Sequence, residues 1–141
     1  MQSLISQLFR PRLWIAAYVA WFCLLFFLSS RSTFGPDVQT FPHSDKVVHA
    51  IYFALGSTAL GLGLLLGRPG ISLGRLFWIL VIAALAVGWF DEVHQWYTPG
   101  RSGKDLGDLA ADGLGGAIGF FVALRLFGFA RGRRGLDRLK A

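Results

Sequence analysis

DKVVHAIYFALGSTALGLGLLLG, residues 45 to 67, opens on an acid, a lysine and a histidine and then runs to its end without another charge. At ~1.5 Å per residue its apolar part, Val47 to Gly67, reaches about 30 Å as a helix, the thickness of a bilayer's hydrocarbon core. At ~100° per residue, Asp45, His49, Tyr52, Gly56, Ala59, Gly63 and Gly67 stay within about 40° of one line along that helix. One face therefore carries both a polar head and a column of small residues.

Three further stretches have the same apolar character, roughly Leu13 to Ser29, Leu76 to Phe90 and Leu109 to Gly128. With 54% hydrophobic and only 16% charged residues, the 141-residue chain has too little polar surface for an ordinary soluble domain. Backbone groups in lipid must be satisfied internally, and long unbroken apolar runs do this as helices. The expected fold is an all-α integral membrane four-helix bundle in a single domain, with helices at about 13–29, 47–67, 76–96 and 106–128 and a basic tail at 129–141.

Arg10 and Arg12 ahead of the first run resemble the start of a secretory signal, but Ser29, Ser30, Arg31 and Ser32 offer no small-x-small cleavage site. The first segment is read as a permanent helix. Cys23, the single cysteine, has no partner for a disulfide and is read as an apolar filler. The amino terminus, second loop and tail carry Arg10, Arg12, Arg68, Arg75, Arg131, Arg133, Arg134, Arg138 and Lys140. The first and third loops carry Arg31, Lys46, Arg101 and Lys104. That bias predicts both termini in the cytoplasm. The net charge of +6 is assigned to anionic membrane lipid, with no nucleic-acid partner expected.

Five of the eight acidic residues, Asp91, Glu92, Asp105, Asp108 and Asp112, fall within residues 89–112. On the third helix Ala84, Gly88, Asp91 and Gln95 align, with Glu92 and His94 about 80° to either side. On the fourth, Asp105, Asp108, Asp112, Gly116, Gly119 and Ala123 hold a band about 80° wide. Small residues four apart, such as Gly63 with Gly67 or Gly115 with Gly119, let membrane helices approach closely, so these faces are expected to turn into the bundle. The carboxylates, His49 and Gln95 would then converge on one outward-facing pocket. Ionisable groups in a membrane helix are costly unless they face protein or water, which makes them candidate functional residues.

Bland readings exist for some of them. Ser44 or Asp45 can cap the second helix, and Ser102 with Asp105 fits a capping box. Lys46 can snorkel, and His43 can be a solvated loop residue. Trp89, Trp96 and Tyr97 suit an aromatic belt, and Pro99 with Gly100 marks a turn. His49, Asp91, Glu92, Asp108 and Asp112 have no capping role, and Arg101 is the natural counter-ion for two of them. A purely structural ion-pair network is the competing account.

DKVVHAIYFALG (45–56) followed by DEVHQWYTPGRSGKDLGDLAADGLGG (91–116) resembles the VanZ-like membrane proteins. The shared pattern is an Asp-Lys with a His three after the Lys, an Asp-Glu with a Gln three after the Glu, an Arg after a Pro-Gly turn, and an Asp leading into a Gly-rich helix. It falls on Asp45, Lys46, His49, Tyr52, Asp91, Glu92, Gln95, Arg101 and Asp108. Two positions depart from it: Ala50 stands where an aromatic is usual, and Asp112 where Asn is frequent. The resemblance implies a cell-envelope role linked to resistance to glycopeptides of the teicoplanin type, and leaves the chemistry open.

Three mechanisms are compatible with these residues. In a membrane-embedded hydrolase or transferase acting on a lipid-linked phosphate, His49 or Glu92 would serve as general acid or base and Asp91 would orient the His or Arg. Lys46 and Arg101 would hold the anionic headgroup. No GxSxG, HExxH or phosphate-cradling loop supports a named enzyme class. In a recognition protein, Asp45, Lys46, Tyr52, Gln95, Arg101, Asp108 and Asp112 would bind a lipid-linked or glycopeptide ligand without cleavage. A metal site of His49, Asp91, Glu92 and Asp108 lacks motif spacing, so no metal and no cofactor are expected. A homo-oligomer through the glycine faces stays open.

Overall fold

The computed structural model describes residues 10–31, 43–99 and 105–139, with side chains through Gly132. Four helices follow in chain order: α1 (Pro11–Ser29), α2 (Ser44–Gly67), α3 (Leu73–Tyr97) and α4 (Leu106–Leu139). There is no strand among the described residues. All four are long and apolar enough to cross a membrane; in α4 that segment is Leu106–Gly132. The helices start slightly earlier than the apolar runs suggest, because polar first turns such as Ser44, Asp45 and Lys46 are already helical. The last helix also runs on through most of the segment read as a tail.

Local chemistry sets the helix ends. Pro11 occupies the first turn of α1, where a missing N–H is harmless. Pro69 and Gly70 make the turn between α2 and α3, closed by the Ile71 N–H on the Arg68 carbonyl at 3.0 Å. Ser72 then caps α3 by accepting from the Arg75 amide at 3.3 Å. Asp105 satisfies an amide donor as expected, but as the residue that precedes and caps α4, accepting from the Gly107 amide at 2.7 Å; Ser102, its expected partner in a capping box, lies outside the described residues. Neither Ser44 nor Asp45 caps α2. His43 is its N-cap, with φ of 64° and no side-chain capping bond.

α4 packs most extensively against α2, and the glycines explain why. A Cβ at Gly115 would lie 2.6 Å from the Ala50 carbonyl, and one at Gly119 2.6 Å from Ser57 Cβ and 2.8 Å from the Ala54 carbonyl. Gly116, one residue round, turns to α3 instead, 2.9 Å from Ala84 Cβ. α4 thus touches both neighbours through backbone, the close approach that membrane helices gain from small residues. The other glycine column behaves differently from expectation. Gly56 lies under the Trp21 indole, and Gly63 and Gly67 face Ile15 and Pro11, so this stripe of α2 seats α1 and leaves α4 to the adjacent face.

α1 is fastened by a reciprocal pair of bonds. Tyr52 donates its hydroxyl to the Trp21 carbonyl, and Trp21 donates its indole N–H to the Tyr52 carbonyl, both at 3.0 Å. Leu62, Leu65, Leu76, Leu80, Phe120 and Ala123 form the main core, and Leu25, Phe53 and Ala84 a second cluster nearer the polar end. Large apolar side chains point outward elsewhere, among them Val48, Ile51 and Leu55 on α2 and Trp78 and Ile82 on α3. Such a surface suits lipid and would be untenable in water.

Candidate functional site

The polar residues gather where α2 begins, α3 ends and α4 begins, in three connected groups. At the rim, Lys46 Nζ donates to Asp45 Oδ2 at 2.9 Å, to Asp108 Oδ1 at 2.8 Å, and to Asp105. An ammonium has three N–H donors, so all of them are engaged within the chain. The expectation that Lys46 holds an anionic headgroup meets this obstacle directly: three carboxylates already occupy it. Asp105 lies just before the apolar span of α4. The Lys46 ammonium, aided by the Gly107 amide, holds its carboxyl below the usual carboxylate range.

The rim also bears on metal binding. Asp45, Asp105 and Asp108 are the described group whose oxygens lie within 4.8 Å of one another, and Lys46 bonds all three. A lysine holds the place that a cation would take. His49, Asp91, Glu92 and Asp108, the quartet weighed from the sequence, are not drawn together in this way among the described residues.

Beneath the rim, His49 Nδ1 lies 2.9 Å from Asp112 Oδ1, and His49 Nε2 lies 4.0 Å from Asp108 Oδ2. Asp112 is 1% exposed. Its second oxygen has no hydrogen-bond partner and lies against Gly88, where any side chain would collide with the carboxylate. The carboxylate that orients His49 is therefore Asp112, on the fourth helix. Asp91, given that task from the sequence, is engaged elsewhere. This arrangement makes Asp112 the best-placed partner of the histidine.

The third group joins α3 to its neighbours. Asp91 accepts from Gln95 Nε2 at 2.6 Å and from the Ser29 hydroxyl of α1, with all three residues buried. Glu92, also buried, accepts the Asp105 backbone N–H at 2.8 Å and so fixes the start of α4. Burying these carboxylates is tolerable because each is hydrogen-bonded. His94 turns to α1, its ring 4.4 Å from Phe26 and its Nε2 3.5 Å from the Ser30 hydroxyl. Arg101 lies outside the described residues.

Between α1, α2 and α3 opens a cleft of about 160 Å³. Ser29, His49, Asp91 and Gln95 are its polar lining, and Leu25, Leu28, Val48, Phe53 and the Tyr52 ring complete it. Of the candidate residues, His49, Tyr52, Asp91 and Gln95 reach this cleft. Asp45, Lys46 and Asp108 form the rim, Asp112 lies behind His49, and Glu92 braces the hairpin. Tyr52 contributes its ring, since its hydroxyl serves Trp21.

Sequence reasoning missed Ser29, the α1 ligand of Asp91; it placed Gly88 on the inward face of the third helix but not its part in making room for Asp112. A signal for the first was present. Trp14, Tyr18, Trp21, Leu25 and Leu28 recur at helical spacing, and with Ser29 they are the partly or fully buried face of α1.

No curated protein and no solved structure matches the chain. A family model described as VanZ/LLP1 matches residues 14–128, from the inward face of α1 to the glycine-bearing half of α4, so the polar-ended four-helix membrane bundle described above belongs to the VanZ/LLP1 family.

Proposed function

We propose that the chain is a cell-envelope protein of the bacterial inner membrane, with both termini in the cytoplasm, whose outward-facing cleft recognises an amphipathic envelope molecule and so contributes to tolerance of teicoplanin-type glycopeptides. The observation that carries the reading is that one cleft is lined both by the polar side chains Ser29, His49, Asp91 and Gln95 and by the apolar Leu25, Leu28, Val48 and Phe53. A headgroup with hydroxyl or amine donors would meet Asp91, Gln95 and His49 while its chain lay against Leu25, Leu28 and Val48. The family's association with teicoplanin resistance supports the cell-envelope setting, and the nine-to-four distribution of loop and tail basic residues supports the orientation.

Expression in a glycopeptide-susceptible bacterium tests this. The wild-type chain should raise the inhibitory concentration of teicoplanin, and Asp91→Asn and His49→Ala should return it to baseline at unchanged levels of membrane protein. Equal tolerance with and without the chain would defeat the proposal. For the orientation, single cysteines at Tyr97 and Arg131 in a Cys23→Ser background should react with an impermeant maleimide from outside only at position 97.

One observation favours a second reading, a hydrolase or transferase acting on a lipid-linked phosphate. His49 lies 2.9 Å from Asp112 through Nδ1, with its Nε2 4.0 Å from Asp108 Oδ2, a placement that suits a general acid or base. The occupied donors of Lys46 weigh against a phosphate at the rim. Turnover of a lipid-linked phosphate that disappears in His49→Ala while binding persists would favour this reading; joint loss of both favours recognition.

A further inference from the structure

We infer that the end of the molecule opposite the carboxylates carries a separate binding site for an anionic phospholipid, held between the start of α1 and the end of α2. A groove of about 450 Å³ lies there, with Ile15, Ala16 and Leu64 on its apolar surface and Arg12 and Arg68 lining it as well. It is distinct from the polar cleft in both location and charge, and it shares no lining residue with it.

Three features select the occupant. Neither Arg12 nor Arg68 forms an ion pair with any described carboxylate, whereas Lys46 at the other end is fully paired with carboxylates. Both arginines are exposed where the apolar spans end, and two cations without a counter-ion among the described residues beside an apolar groove match a phosphodiester with an attached chain. The same mouth receives the N-terminus of α1, whose helix dipole adds positive potential beside the two guanidiniums.

Gly67 is one of the residues that line the groove. A Cβ at Gly67 would stand 3.4 Å from Pro11 Cβ in ordinary contact, so the backbone tolerates a substituent that would extend into the space. Gly67 can therefore be used to fill the groove while both arginines remain. Phosphatidylglycerol fits the combined requirements of one phosphate, a glycerol neck and an acyl chain; phosphatidylcholine adds a cation that would face the two guanidiniums.

The experiment uses the full chain in detergent, with native mass spectrometry reading retained lipid and thermal unfolding reading stabilisation. Phosphatidylglycerol should be retained and should raise the melting temperature. Phosphatidylcholine and inorganic phosphate should do neither, which distinguishes a lipid from a free anion. Arg12→Gln with Arg68→Gln should weaken retention roughly tenfold or more, as expected for loss of two charge-assisted contacts at an interface. Gly67→Leu should weaken it with both charges intact, and Arg131→Gln should leave it unchanged. Equal retention of the two lipids by the wild-type chain overturns the proposal without need of any variant, as does undiminished retention in Gly67→Leu.

Discussion

Gly115→Ala adds one methyl group at the junction of α2 and α4, and its consequence can be worked from distances. The new Cβ would lie 2.6 Å from the Ala50 carbonyl oxygen, 2.7 Å from Phe53 Cβ and 3.0 Å from the Ala54 amide. Two of these atoms belong to helical backbone and cannot turn aside. The helices must separate locally by about 0.8 Å, from 2.6 Å to the 3.4 Å at which ordinary contact begins. Ala50 adjoins His49, and Gly115 lies one turn below Asp112. The same separation therefore stretches the 2.9 Å contact between His49 Nδ1 and Asp112 Oδ1 beyond hydrogen-bonding distance. Overpacking costs about 1–3 kcal/mol, and stranding a buried carboxyl group a further ~1–3 kcal/mol. That is a large part of a marginal total stability of about 5–15 kcal/mol. Unfolding by sodium dodecyl sulfate, followed by tryptophan fluorescence, should show a clearly lower midpoint for Gly115→Ala. Gly128→Ala on the same helix provides the control, because a Cβ there meets nothing within 4 Å. Coincident midpoints for the two variants would refute the account of helix contact given above.

Other perturbations probe the rim and the α1 fastening. Lys46→Met leaves Asp45, Asp105 and Asp108 facing one another without their shared cation; the variant should unfold more easily, and added calcium or manganese should restore part of the loss while leaving the wild-type chain unaffected. Tyr52→Phe removes the bond to the Trp21 carbonyl and should cost about 0.5–1.5 kcal/mol in the same unfolding assay, with the fluorescence of Trp21 altered. Asp105 ionises more readily in the folded chain than at its ordinary value of 3.8, so its contribution is complete above that value and is lost as pH falls through the lower folded one. The midpoint difference between wild type and Asp105→Asn should be constant above about pH 5 and vanish at strongly acid pH; a difference that grows on acidification would contradict the Lys46 contact.

The helices and their polar ends were readable because α2, α3 and α4 each carry ionisable residues in phase with small ones, and only one face of a membrane helix tolerates both. Phase alone did not say which neighbour each face meets. Gly63 and Gly67 share a line with His49, yet they receive α1, while the α2 surface that receives α4 is built from Ala50, Phe53, Ala54 and Ser57. These residues are ordinary apolar or small ones whose smallness matters only once Gly115 and Gly119 are placed opposite. The pairing of charges was similarly hidden. Asp91 and Asp112 are both in phase with glycines, and what assigns His49 to Asp112 is the closer contact of α2 with α4, a tertiary fact. Ser29 escaped notice because a serine at the end of an apolar run reads as a helix terminus until the carboxylate it serves is seen.

The rim has a consequence for biosynthesis. Lys46 and His49 leave the ribosome 62 and 63 residues ahead of Asp108 and Asp112, an interval of roughly 3–12 s at ~5–20 residues per second. Throughout that wait α2 enters the translocation machinery with a positive charge whose distant partners have not yet been made. Asp45, the adjacent residue, is the one acid of the trio available from the outset. Of the three bonds that Lys46 makes in the folded chain, the one to Asp45 is therefore the one whose partner is already present when α2 emerges.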